Sequence, residues 1–109
     1  MSGITTHVLD TSRGCPAAGV AVTLEKHDGN YWKLAGRGET DADGRCRSLT
    51  GEPLTTGLYR LTFGTGAYYG EGKTFFPEVT IAFEVSDASQ HYHVPLLLSP
   101  FGYSTYRGT

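Results

Sequence analysis

His91 and His93 stand on either side of Tyr92 in the segment His91 to Thr109, HYHVPLLLSPFGYSTYRGT. This is β-strand spacing, in which alternate residues share a face. His91, His93, Pro95 and Leu97 fall on one side, and Tyr92, Val94, Leu96 and Leu98 on the other. A core face thus backs a face carrying two imidazoles about 7 Å apart along the strand. A third comes from His7, which shares a face with Thr5 and Leu9 while Ile4, Thr6 and Val8 make the opposite one. Such imidazoles suit two chemistries. They supply the three ligands of a catalytic zinc with an open fourth position, or the neutral bases and acids that move protons near pH 7. No Asp or Glu in the His91 to Thr109 block is placed to brace metal-bound imidazoles from behind, which weighs against zinc.

Arg45 follows the Asp43-Gly44 turn dipeptide directly, so its backbone is pinned although its side chain is long. A guanidinium presents a planar fork of donors to carbonyl or carboxylate oxygens, which fits a flat, oxygen-rich ligand better than a lysine does. Spacing alone is equally served by a solvated hairpin arginine, and Arg47, on the same face, is read that way. Tyr106 can stack a flat heterocycle while its hydroxyl bonds a carbonyl. In a regular strand, Tyr106 and Arg107 point to opposite faces. His27 carries no special chemistry.

The elements that position these groups are short. Period-two alternation, bounded by Gly, Pro, Asp and Ser, recurs at Ile4 to Asp10, Val20 to His27, Tyr31 to Arg37, Arg45 to Leu49, Leu58 to Phe63, Val79 to Val85, Gln90 to Leu98 and Tyr103 to Arg107. Eight such strands predict an all-β sandwich. Asp28-Gly29 and Asp43-Gly44 are expected to join antiparallel neighbours. Thr65 to Glu71 reads as a brief helical turn with Thr65 as N-cap, and Phe75, Phe76 and Pro77 as a rigid apolar corner.

A chain of 109 residues is one domain, 1–109, which must hold both fold and site. Hydrophobic residues at 39%, with 15 glycines, describe a globular chain of many turns. The net charge of -2 and the scattered Lys and Arg make nucleic acid an unsuitable partner. No apolar run approaches the roughly 20 residues of a membrane span. Met1 to Thr6 lacks a leader pattern, and two distant cysteines, Cys15 and Cys46, read as reduced, partly buried thiols. A cytoplasmic setting is expected.

Three blocks in order, His7-Val8-Leu9-Asp10, Asp43-Gly44-Arg45 and His91 to Gly108, resemble the transthyretin-like 5-hydroxyisourate hydrolases of purine breakdown. The resemblance covers nearly the whole chain and rests most on the long last block. That family's terminal tetrapeptide usually ends in Ser, where this chain keeps a hydroxyl in Thr109. The resemblance implies a transthyretin-like (prealbumin-like) sandwich of two four-stranded sheets with one short helix. It implies metal-independent hydrolysis of 5-hydroxyisourate at a ring amide, giving 2-oxo-4-hydroxy-4-carboxy-5-ureidoimidazoline, with no cofactor. By position it points to His7, Arg45 and His93 for catalysis and to His7, Arg45 and Tyr106 for holding substrate, rather than to His91. It further implies a homotetramer with sites between subunits. A flat sheet face needs an opposing wall to make a concave site, and another subunit is its natural supplier. The alternative is a transthyretin-type small-molecule carrier on the same fold.

Overall fold

Period-two alternation becomes alternate burial along the strands that carry the histidines. In the computed structural model, which describes residues 3–47, 49–50 and 53–109, β1 (Gly3–Asp10) buries Ile4, Thr6, Val8 and Asp10 and leaves the residues between them half-buried. The other strands are β2 (Cys15–Pro16), β3 (Ala21–His27), β4 (Trp32–Glu39), β5 (Arg45–Cys46), β6 (Gly57–Phe63), β7 (Val79–Val85), β8 (His91–Ser99) and β9 (Gly102–Thr105), with α1 (Thr65–Tyr69) between β6 and β7.

They form the two sheets of the expected sandwich. One follows the path β2-β1-β8-β9, with β5 pairing β1 as an addition, and the other runs β4-β3-β6-β7. The inner face of the first sheet sets Ile4, Val8, Tyr92, Leu96 and Leu98 against Val22, Leu24, Tyr59, Leu61 and Phe63 of the second. Val79 and Val85 are buried and Ile81 and Phe83 pack against the core, so alternate residues of β7 face inward. Emptying a fully buried leucine such as Leu96 costs about 2–5 kcal/mol in cores of this kind.

All eight expected segments contain a strand, and three details differ. Pro16 and Cys15 pair with Leu9 and Asp10 to make β2, which has too few residues for periodicity to reveal. The Arg45 to Leu49 segment narrows to the two residues of β5, and its position 48 lies outside the described residues. Asp28-Gly29 does join antiparallel neighbours, β3 and β4. Asp43-Gly44 does not: it turns the chain out of the sheet of β4 and delivers β5 to β1 in the other sheet.

The helix is also held differently from the expectation. Gly64 is its N-cap residue and no side chain caps it. The Thr65 hydroxyl, fully buried, donates instead to the carbonyl of Phe76, tying the helix to the following corner. There Phe76 packs on the core while Phe75 stays largely exposed. Of the two thiols expected to be partly buried, Cys46 is buried and Cys15 is exposed.

Asp10 ends β1 with its side chain buried. Its Oδ1 accepts the Ser12 N–H at 3.0 Å and the Ser12 hydroxyl at 2.6 Å, and its Oδ2 accepts the Tyr68 hydroxyl of α1 at 2.8 Å. Burial alone raises a carboxyl pKa, but donation from Ser12, Tyr68 and the Arg13 N–H outweighs it and holds Asp10 below its ordinary 3.8. Burial and the Asp10 carboxylate push Tyr68 up to about 12. Since the folded carboxyl ionises more readily than the unfolded one, its contribution is complete above pH 3.8 and is lost as pH falls through the lower folded value. Asp10→Asn is therefore predicted to cost about 1–3 kcal/mol at pH 7. In urea titrations the gap from the parent should close below pH 3.8; an equal gap at pH 7 and pH 2.5, a value set about one unit below the ordinary carboxyl, would contradict the ionised anchor.

Candidate active site

The half-buried face of β1 and the matching face of β8 look away from the core, and most of the candidate residues gather there. Parallel pairing sets Thr5 opposite His93 and His7 opposite Pro95, while on the other edge of β1, β5 sets Arg45 opposite His7. Three strands that are neighbours only in space, β1, β5 and β8, thus bring His7, Arg45 and His93 onto one surface.

Local bonding fixes each of them. The Asp41 carboxylate accepts the N–H groups of Asp43 at 2.9 Å and Arg45 at 3.0 Å, and the Asp41 carbonyl accepts that of Gly44. Gly44 has φ +77° and is packed so that a Cβ would strike the Val8 carbonyl oxygen, so only glycine passes here. The Asp43 carbonyl faces Nε2 of His7 at 2.8 Å. A carbonyl only accepts, so Nε2 holds the proton, and in the neutral ring Nδ1 keeps the lone pair. The middle motif therefore works through the Asp43 backbone, the Gly44 turn and the Arg45 side chain.

A pocket of about 310 Å³ opens on this face, lined by Thr5, Thr6, Arg45, Arg47, His91, His93 and Thr109. Its volume is at the small end for ligand sites and one side is open. Thr5 Oγ1 lies 2.8 Å from Nδ1 of His93 and 2.9 Å from Nε2 of His91, whose rings stack 6.5 Å apart at 17°. Gly108 bridges to His93, its N–H donating to the His93 carbonyl at 2.8 Å. A Cβ on Gly108 would come within 2.6 Å of the His93 ring, so glycine lets the last residues lie against the imidazole and brings Thr109 to the pocket.

Of the residues singled out in the sequence, His7, Arg45 and His93 come together. Tyr106 does not join them within one chain. It lies 59% exposed in a separate groove with Phe83, Tyr92, Val94 and Arg107. Because β9 ends at Thr105, the alternation stops and Tyr106 and Arg107 line the same groove. Arg107 stacks over Tyr92 at 4.5 Å and donates to Gln90 at 2.9 Å. Thr5, Thr6, Arg47 and Thr109 line the pocket too, as does His91, which the resemblance passes over. The signal is present in sequence for three of them, since Thr5 shares a strand face with His7, Arg47 one with Arg45 and His91 one with His93. Among the described residues, no group of three or more His, Cys, Asp or Glu is arranged to hold a metal.

Burial lowers the His93 pKa from its ordinary 6.5, and the positive charges of Arg45, His7 and His91 lower it further. The imidazole is therefore neutral at pH 7, with Nε2 unbonded by any described residue. An NMR titration of the His93 ring is predicted to have its midpoint below 6.5. Arg45→Met should move that midpoint upward; a parent midpoint above 6.5, or no movement in the variant, would contradict this electrostatic picture.

An antiparallel-rich sandwich with imidazoles and guanidinium groups on the open face of one sheet defines a transthyretin-type protein with a polar site. The chain belongs to the HIUase/Transthyretin family, whose model matches residues 4–108. It is 48% identical to a 5-hydroxyisourate hydrolase of Caulobacter vibrioides over 100% of both chains. The structure is similar to that of Klebsiella pneumoniae 5-hydroxyisourate hydrolase, with a TM-score of 0.86, 37% identity and coverage of 99% of this chain and 100% of that one. Sea bream transthyretin in complex with thyroxine matches with a TM-score of 0.88 and 31% identity, covering 97% of this chain and 94% of that one.

Proposed function

We propose that this protein hydrolyses 5-hydroxyisourate to 2-oxo-4-hydroxy-4-carboxy-5-ureidoimidazoline in urate degradation. The carrying observation is the grouping of His7, Arg45 and His93 on one open sheet face. A carrier of apolar ligands is the competing reading on this fold. A pocket lined by two arginines, two histidines and three threonines disfavours it, because an apolar ligand would leave polar groups desolvated without partners.

In the proposed reaction, water attacks a ring amide carbonyl. His93, held neutral, takes a proton from that water at Nε2, and His7, its Nε2–H pinned to Asp43, offers Nδ1 to the same water or to the ring. Arg45 supplies fixed positive charge where the carbonyl oxygen becomes an oxyanion. No metal or other cofactor takes part in this scheme. Chelation should leave the rate unchanged, whereas loss on chelation with recovery by zinc would favour a site of His7, His91 and His93.

Freshly oxidised urate tests the reading directly, since the parent should remove 5-hydroxyisourate faster than buffer does. His93→Ala and His7→Ala are each predicted to lose about 10²- to 10⁴-fold in rate. Undiminished turnover in either variant would remove that residue from the mechanism.

A homotetramer with sites between subunits belongs to the same proposal. The pocket is open on one side, and a facing copy would close it. Phe101 at 80%, Phe75 at 72% and Tyr103 at 42% exposure form an aromatic surface where β8 turns into β9, the kind of patch that subunit contacts cover. Tyr106 would then grip the ring from a neighbouring chain. A cytoplasmic setting is included as well, in keeping with the exposed thiol of Cys15. No helix among the described residues is long and apolar enough to cross a membrane. Deleting residues 106–109 is predicted to abolish turnover even in a folded chain. Sedimentation and assay of the same samples decide the matter: a fully active monomer, or full turnover after truncation, contradicts the shared site.

A further inference from the structure

Thr5 sits between the two histidines of β8 and bonds both. A hydroxyl has one proton to donate and two lone pairs, so where Thr5 gives its proton to one imidazole it accepts the N–H of the other. Two neutral arrangements satisfy all three groups. In the first, Nδ1–H of His93 donates to Thr5 and Thr5 donates to Nε2 of His91, leaving the lone pair of His93 on Nε2. In the second, Nε2–H of His91 donates to Thr5, Thr5 donates to Nδ1 of His93, and Nε2 of His93 carries the proton. In these two arrangements the tautomers of the two rings are coupled through one oxygen.

We propose that Thr5 is a positioning residue and that the chain His91, Thr5, His93 switches His93 between base and acid during the hydrolysis proposed above, on which this inference rests. In the first half, the oxygen of water bonds the ring carbonyl carbon as one of its O–H bonds breaks. That proton goes to Nε2 of His93, the Nδ1 proton of His93 to Thr5, the Thr5 proton to Nε2 of His91, and the Nδ1 proton of His91 to solvent. His93 is then neutral with Nε2 protonated. In the second half, the C–N bond breaks with its electron pair remaining on nitrogen, and Nε2–H of His93 protonates that nitrogen. The relay runs backward, and Nδ1 of His91 takes one proton from solvent. One proton leaves and one returns, so the site ends as it began.

The surroundings favour a relay over a lasting imidazolium. Arg45 from β5, Arg47 just beyond it and His91 from β8 line the pocket beside His93, His7 from β1 adds its charge on the same sheet face, and no carboxylate side chain of the described residues lines the pocket. Burial and these charges disfavour a proton that stays on His93. His91 is exposed where His93 is half-buried, which makes it the outer end.

Thr5→Val keeps the branched shape and deletes the hydroxyl. Assayed on fresh 5-hydroxyisourate in dilute buffer, it should lose about tenfold or more in kcat, with KM changed less than about twofold. Concentrated imidazole buffer, corrected for its uncatalysed rate, should restore most of the loss by replacing the relay. Thr5→Ser should behave as the parent. His91→Ala, at an exposed position, should repeat the buffer-dependent loss and covers the case in which Thr5→Val fails to fold. Full kcat of both variants in dilute buffer, or a loss that imidazole does not relieve, would overturn the relay. Two-bond ¹H–¹⁵N spectra of the parent without substrate should show His91 and His93 as complementary tautomers; independent tautomers would overturn it whatever the activity. A parent inactive on 5-hydroxyisourate would instead overturn the hydrolysis reading.

Discussion

Hydrogen bonding between β1 and β8 runs parallel through eight consecutive register positions, from Gly3 opposite His91 to Asp10 opposite Leu98. Most of the chain lies between these two strands, because parallel neighbours need a long crossover. A slip of one residue would turn every side chain of one strand to the opposite face. His93 would enter the core, Val94 would reach the pocket, and Thr5 would lose both imidazoles. The burial of Ile4, Thr6, Val8, Tyr92, Val94 and Leu96 opposes that slip, so the hydrophobic core also sets the geometry of the polar face.

The end and the middle of β1 are secured by polar groups on opposite sides of the sheet. Asp10 ties the last residue of β1 to α1 through Tyr68, on the core side. Asp43 ties His7 to the incoming β5 on the pocket side. Exposed carboxylates and carbonyls of this kind add little when water competes for them. Asp10 is sheltered, and the Asp43 carbonyl is pinned by the turn that Asp41 builds.

Much of this was legible residue by residue. The faces of β1 and β8 follow from alternation, which is a local property, and so His7 and His93 were assigned outward without knowledge of their neighbours. The destination of the chain after Asp43-Gly44 was not legible, since a turn dipeptide states that the backbone reverses and not which sheet receives it. The role of Thr5 depends on a register between segments at opposite ends of the chain, and a threonine in a strand is otherwise ordinary. Thr65 could cap a helix or bond a distant carbonyl, and only the position of Phe76 decides. The resemblance assigns Tyr106 to the substrate, and the end of β9 at Thr105 sets it in another groove of its own chain, a placement that alternation does not foretell.

Strand parity also separates inheritance of shape from inheritance of chemistry. Along β1 and β8, residues that hold the sandwich and residues that face the pocket alternate, so each neighbour in sequence answers to a different selective demand. Substitutions at Thr5, His7, His91 or His93 can be sampled over generations with little debt to the packing behind them. A scaffold so partitioned can diverge in what it binds while its outline persists, and a thyroxine-bound transthyretin superposes on this chain with a TM-score of 0.88 at 31% identity.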